Sequence, residues 1–219
     1  MKKSEWLKKL WLPLLIVLVM FAVSLFVYPR LPERVPTHWG ISGEPDGWSG
    51  PEFAAFFAPC LTLFMLTLMA VIPFIDPRRE NVERFAGIYS LILTAIIAFM
   101  ALIHFTVLAS GLGYRVPVSR VVDISLGLLF VLIGNYLTKV KPNYFIGIRT
   151  PWTLENETVW RKTHRVGGYA FVGGGLLIIV GSFLPPTWSF ALMIAVTVVI
   201  TVGTAVYSYR LFKKEQAKN

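Results

Sequence analysis

The chain has 219 residues, 55% of them hydrophobic and only 15% charged, against about 25% charged in an ordinary soluble domain. A net charge of +9 would suit a nucleic-acid binder, but a mean hydropathy of +0.64 excludes that reading. Basic charge on so apolar a chain is what the cytoplasmic loops of a multi-span membrane protein carry, so no direct nucleic-acid binding is expected. The single cysteine, Cys60, excludes an internal disulfide or a cysteine-rich zinc site, and its apolar neighbours suggest buried packing.

Uncharged runs long enough to span a bilayer appear in order along the chain. Leu10 to Pro29 is the first and Phe53 to Ile75 the second; a third runs from about Ala86 to Ser110, and a fourth, apolar but for Arg120 and Asp123, from about Pro117 to Thr138. The uncharged stretch from Val166 to Tyr209 is too long for one helix and is divided at Pro185-Pro186, which gives spans five and six. The expected fold is therefore all-α, a polytopic membrane protein with six transmembrane helices. Its parts are residues 1–75 (spans one and two with an outer loop, 30–52), 76–138 (spans three and four), 139–166 (an inner loop) and 167–219 (spans five and six with a basic tail).

Six spans place both termini on one side. The Lys and Arg residues divide 17 to 4 in favour of the side that holds the termini, which makes that side cytoplasmic. Trp6, Trp11, Trp152 and Trp160 fall at the inner surface and Trp39, Trp48 and Trp188 at the outer one, as an interfacial aromatic belt requires.

The outer loop, PRLPERVPTHWGISGEPDGWSGPEF, has the Pro and Gly punctuation of a defined shape. His38, Trp39, Gly43, Asp46 and Trp48 are its candidate recognition residues. Its two readings are an Asx-type turn with Trp39 and Trp48 resting on the bilayer, or a surface on which His38, Glu44 and Asp46 bind a metal or a cationic partner. Within the spans, His104 and Asp123 each lie about 9 Å from the outer ends of spans three and four. The short connection between those spans lets the two side chains meet. Intramembrane ionisable groups are costly enough to suggest function, although Arg120, three residues before Asp123, is placed to neutralise it. Thr197, Thr201, Thr204 and Ser208 share a face of span six that reads as helix packing.

In the inner loop, Asn135, Asn143, Gly147, Arg149, Trp152, Trp160, His164 and Arg165 obey no helical or strand period, and Asn156 is placed to cap a short surface helix. This stretch, with its GNY, KPNYFIGIRTPWT and WRKTHR elements, resembles the signature of the SdpI family; the segment PTHWGISGEPDGW resembles the His-Trp loop of a domain of unknown function found in the same proteins. The resemblance implies a six-span membrane protein that protects a bacterium from a secreted peptide toxin and holds a winged-helix repressor at the membrane. The outer loop would then face the toxin, and Asn143 to Arg165 the cytoplasmic partner. A small proton-coupled transporter using His104 and Asp123 is the alternative, and a membrane metalloenzyme a second. No phosphate loop, nucleophile elbow or paired-histidine zinc motif is present, so the chain is expected to be no enzyme and to carry neither metal nor cofactor.

Overall fold

A computed structural model describes residues 3–218. A short helix α1 (Lys3–Leu7) runs through a tight turn into α2 (Trp11–Val27); a β-hairpin follows, β1 (Val35–Trp39) and β2 (Pro45–Ser49). Then come α3 (Pro51–Ile75), the single-turn α4 (Arg79–Arg84), α5 (Ala86–Gly111), α6 (Val118–Leu137), α7 (Pro151–Glu155), α8 (Glu157–Gly181) and α9 (Pro186–Gln216). Six helical stretches are long and apolar enough to cross a membrane: 5–30, 51–75, 86–111, 118–137, 157–181 and 186–216. The all-helical, six-span expectation holds, with one addition: the outer loop is a two-stranded antiparallel hairpin. The hairpin caps one end of the bundle; the loops 76–85 and 138–156 close the other.

Helix starts follow local chemistry. Pro51, Pro151 and Pro186 each occupy a first-turn position, where the missing N–H costs nothing. Two further prolines, Pro59 and Pro73, sit inside α3. Each removes the N–H that would have bonded the carbonyl four residues earlier, and in lipid an orphaned carbonyl must find a donor. Ala55, four before Pro59, accepts the Ser24 hydroxyl of α2 at 2.6 Å, and Met69, four before Pro73, accepts the Tyr89 hydroxyl of α5 at 2.6 Å. The proline pair thus ties α3 to both its neighbours.

The second half of the bundle is joined differently. On α6 and α8, Gly127 faces Gly175 and Gly134 faces Gly168; a β-carbon on Gly134 would lie 2.7 Å from the Gly168 carbonyl, and one on Gly127 2.6 Å from that of Gly175. The seven-residue spacing within each helix puts both glycines on one stripe, so the two backbones touch. Gly174 and Gly181 admit side chains of α9 in the same way.

Several expectations change. Trp6 and Trp160 face the protein interior and not lipid: each is 1% exposed, Trp6 donating to the Ala70 carbonyl and meeting Tyr89 edge-on at 5.2 Å. Trp11 and Trp188 do stand exposed. Cys60 is exposed, its apolar neighbours being the lipid-facing side of α3. Of the hydroxyl stripe on α9, Thr204 and Ser208 are buried while Thr201 faces outward. The short surface helix expected at Asn156 is instead the first turns of α8, which runs unbroken from Glu157 to Gly181.

Candidate functional site

At the hairpin end, β1 and β2 pair with register irregularities on both sides of His38. His38 faces Gly47, where a β-carbon would stand 2.9 Å from that of His38. The His38 Nδ1 and the Asp46 Oδ1 are 2.5 Å apart and both side chains are exposed. Glu44 does not join them: its carbonyl accepts the Gly40 N–H to close the turn. Gly43, at φ 81°, lies on Ser119 and Pro186, where a β-carbon would stand 2.9 Å from the Ser119 hydroxyl. At the hairpin's other end Val35 is fully buried against Gly111. The hairpin is therefore seated across α5, α6 and α9. Trp48 is exposed, with the Arg34 guanidinium 5.8 Å from its ring centre, while Trp39 is half-buried.

Under the hairpin lie two cavities. One, of 220 Å³, has His38 and Trp39 on one wall and Asp123 on the other; the second, of 330 Å³, is lined by His104 and the phenyl rings of Phe53 and Phe57. His104 and Asp123 do not meet. The Ser24 hydroxyl has already given its proton to Ala55, so its 2.8 Å contact with the His104 Nε2 is donated by the imidazole. His104 thereby supports the carbonyl freed by Pro59. Asp123 accepts the Ser189 hydroxyl of α9 at 2.7 Å. Arg120 turns from Asp123, donating to the Ser182 carbonyl at 3.4 Å with its guanidinium 5.5 Å from the Phe183 ring centre. The intrahelical ion pair expected from sequence does not form.

At the opposite end, Asn143 is 1% exposed and makes four bonds. Its amide carbonyl accepts the Phe145 and Ile146 N–H groups and its NH₂ donates to the Lys141 and Ile146 carbonyls. The chain then reaches Gly147 at φ 113°, a conformation L side chains rarely adopt, and a β-carbon there would collide with the His164 ring. His164 accepts the Ile148 N–H on Nε2 at 3.1 Å and donates from Nδ1 to the Trp160 carbonyl at 2.9 Å, which fixes one neutral tautomer. Its ring stacks on Trp160 with centres 4.0 Å apart, and the Trp160 indole donates to Val140. Asn143, Gly147, Trp160 and His164 are thus one knot. Arg149 joins it from outside, donating to the Tyr144 carbonyl at 2.8 Å. The remaining candidates stand apart: Trp152 packs on Tyr209 at 5.0 Å, Asn135 is exposed and bonds back to Val131, and Arg165 is exposed.

Sequence reasoning missed what holds the knot. Asp76, 2% exposed, accepts the Arg78 and Tyr144 N–H groups; Arg78 donates to the Leu154 carbonyl, and Asn81 to that of Pro142. The available signal was Asp76 itself, a carboxylate at the C-terminus of α3, where the helix dipole disfavours negative charge. Thr150 and Thr153 form a reciprocal cap for α7, and Thr150 reaches Ser208 of α9 at 3.0 Å. Among the described residues no cluster of His, Cys, Asp and Glu suited to a metal is formed. Replacing Asn143 by alanine strands two part-buried loop N–H groups and is expected to cost about 2 kcal/mol, read as faster amide exchange confined to residues 141–149.

Residues 139–208, which take in the knot, α7, α8 and most of α9, match a known family model. The family it matches is the SdpI/YfhL protein family. Residues 15–63, including the hairpin, match a domain of unknown function, DUF1648. Over 211 residues, 95% of this chain and 98% of the relative, the sequence is 27% identical to the immunity protein SdpI of Bacillus subtilis (strain 168). No solved structure matches. The SdpI resemblance and the six spans make this a multi-pass cell-membrane protein.

Proposed function

We propose that this chain is a membrane immunity protein that protects its cell from a secreted peptide toxin without enzymatic chemistry. The hairpin end faces outward to the toxin, and the Asn143–His164 knot faces the cytoplasm, where it engages a winged-helix repressor. The likeness to an immunity protein over 95% of the chain carries this reading. The 17-to-4 distribution of Lys and Arg supports the orientation. The seated hairpin supplies a shaped outer surface with the His38–Asp46 pair and Trp48 exposed on it. The transporter alternative loses its motive, because His104 and Asp123 hold separate partners and form no shared relay.

The test is survival of a toxin-sensitive bacterium expressing this protein and challenged with Sdp-type peptides. Protection is expected; its absence across several such peptides, at verified membrane abundance, would overturn the reading. His38→Ala and Asp46→Ala are expected to lower protection while changing stability by less than about 0.5 kcal/mol, since the pair is exposed. Arg149→Ala is expected to impair induction of a repressor-controlled reporter with membrane abundance intact. Equal loss of abundance and induction would show that its bond to Tyr144 serves folding alone.

A further inference from the structure

A pocket of 230 Å³ opens beside the knot, between α4, the segment after α6 and the first turns of α8. Three cations from these three elements line it: Arg84, Lys141 and Arg161. All three are exposed, and none has a carboxylate partner among the ion pairs of the described residues. Glu157 is the one acid in the lining, so a surplus of positive charge remains. The walls are rigid, with Trp160 and His164 buried and stacked on one side and the Asn81 amide bonded to Pro142 on the other.

Like charges from separate elements repel unless something negative sits between them. The general excess of Lys and Arg on this side places cations at the face, but Arg84, Lys141 and Arg161 are gathered from three elements around one pocket. Arg84 ends α4, two residues before the start of α5, Lys141 follows α6, and Arg161 lies in the second turn of α8. These are all ends of candidate spans, so the pocket lies at the depth of phospholipid headgroups.

We infer that this pocket is a binding site for a phosphate ester anion, the headgroup phosphate of an anionic phospholipid, held by Arg84, Lys141 and Arg161. The site lies beside the surface assigned above to a cytoplasmic partner, yet it stands on its own geometry and survives if the immunity reading fails. The buried rings form its wall, so an occupied pocket braces the knot.

The test uses the full chain reconstituted in nanodiscs of phosphatidylcholine with an equal share of phosphatidylglycerol, then released into mild detergent and weighed by native mass spectrometry. The wild type is expected to retain phosphatidylglycerol in preference to phosphatidylcholine. Each cation near an anionic surface is worth about fivefold in affinity, so Arg84→Gln with Arg161→Gln should weaken retention about 25-fold. Arg165→Gln, an exposed cation on the same helix outside the pocket, should leave retention unchanged. Addition of inorganic phosphate at about millimolar concentration separates the sources. No displacement identifies a lipid; displacement identifies a soluble phosphate bound by the same three side chains. Retention without headgroup preference, or an equal loss in the Arg165 variant, would overturn the site. Single Arg84→Lys and Arg161→Lys variants, which keep charge and fold, guard against misfolding of the double variant and should retain most of the preference.

Discussion

Gly134→Val is expected to abolish the folded state or to destabilise it by about 3 kcal/mol or more. The added β-carbon would fall 2.7 Å from the Gly168 carbonyl and 2.9 Å from the β-carbon of Phe171, atoms fixed by α8 itself. No rotamer relieves a clash with backbone, so α6 and α8 must separate along their length. Separation would pull Gly127 from Gly175 and Phe130 from Phe171 as well, so the close dispersion contacts along the whole seam would be lost together. Gly203→Ala is the informative control, since a β-carbon there meets nothing within 4 Å. It should be neutral, or stabilising by up to about 1 kcal/mol through helix propensity. Unfolding midpoints in mixed detergent would distinguish the two, and comparable loss in both variants would refute the seam.

Gly147→Ala should cost about 3 kcal/mol, from two causes that add. An alanine at φ 113° is strained by about 1–2 kcal/mol, and its methyl group displaces the His164 ring that accepts the Ile148 N–H, stranding that donor. The damage should be local, because Asn143, Asp76 and the glycine seam remain intact. A red-shifted tryptophan emission from Trp160 and faster exchange at Ile148 are expected, with the helices still protected. Arg149→Ala, which loses one exposed bond, should show neither change. A Gly147→Ala protein with native fluorescence and exchange would refute the knot as described.

The spans were legible because each depends on a run of apolar residues, a property that sequence states directly. Their pairing was not. The hydroxyls that rescue the carbonyls freed by Pro59 and Pro73 lie about 20 to 30 residues away on other helices, where no local period announces them. His104 was read as functional for the same reason: the Ser24 hydroxyl that receives its Nε2–H lies on another helix, although its buried Nδ1 has no hydrogen-bond partner. The inner candidates fared unevenly. Asn143, Gly147, Trp160 and His164 converge because backbone demands, a turn and a positive φ, fix them, whereas Trp152, Asn135 and Arg165 share only their place in the motif. The hairpin was missed as strand because Pro36 and Gly47, poor strand residues, sit where the pairing is irregular.

The continuity of α8 has a mechanical consequence. Its 25 residues form a rod about 37 Å long, with Trp160 and His164 at one end and, just past the other, the Ser182 carbonyl that receives Arg120. Between the ends it lies along α6, with Gly168 and Gly175 against Gly134 and Gly127 and with Phe171, Val172 and Ile179 fitted around those glycines, Phe171 meeting Phe130 at 5.0 Å. A seam interlocked in this way resists rocking as well as separation. A ligand that shifted the hairpin's seat on Ser119 of α6 and Pro186 of α9 would therefore push on two helices with which α8 is interlocked, and the stacked rings at its far end would be carried along with them.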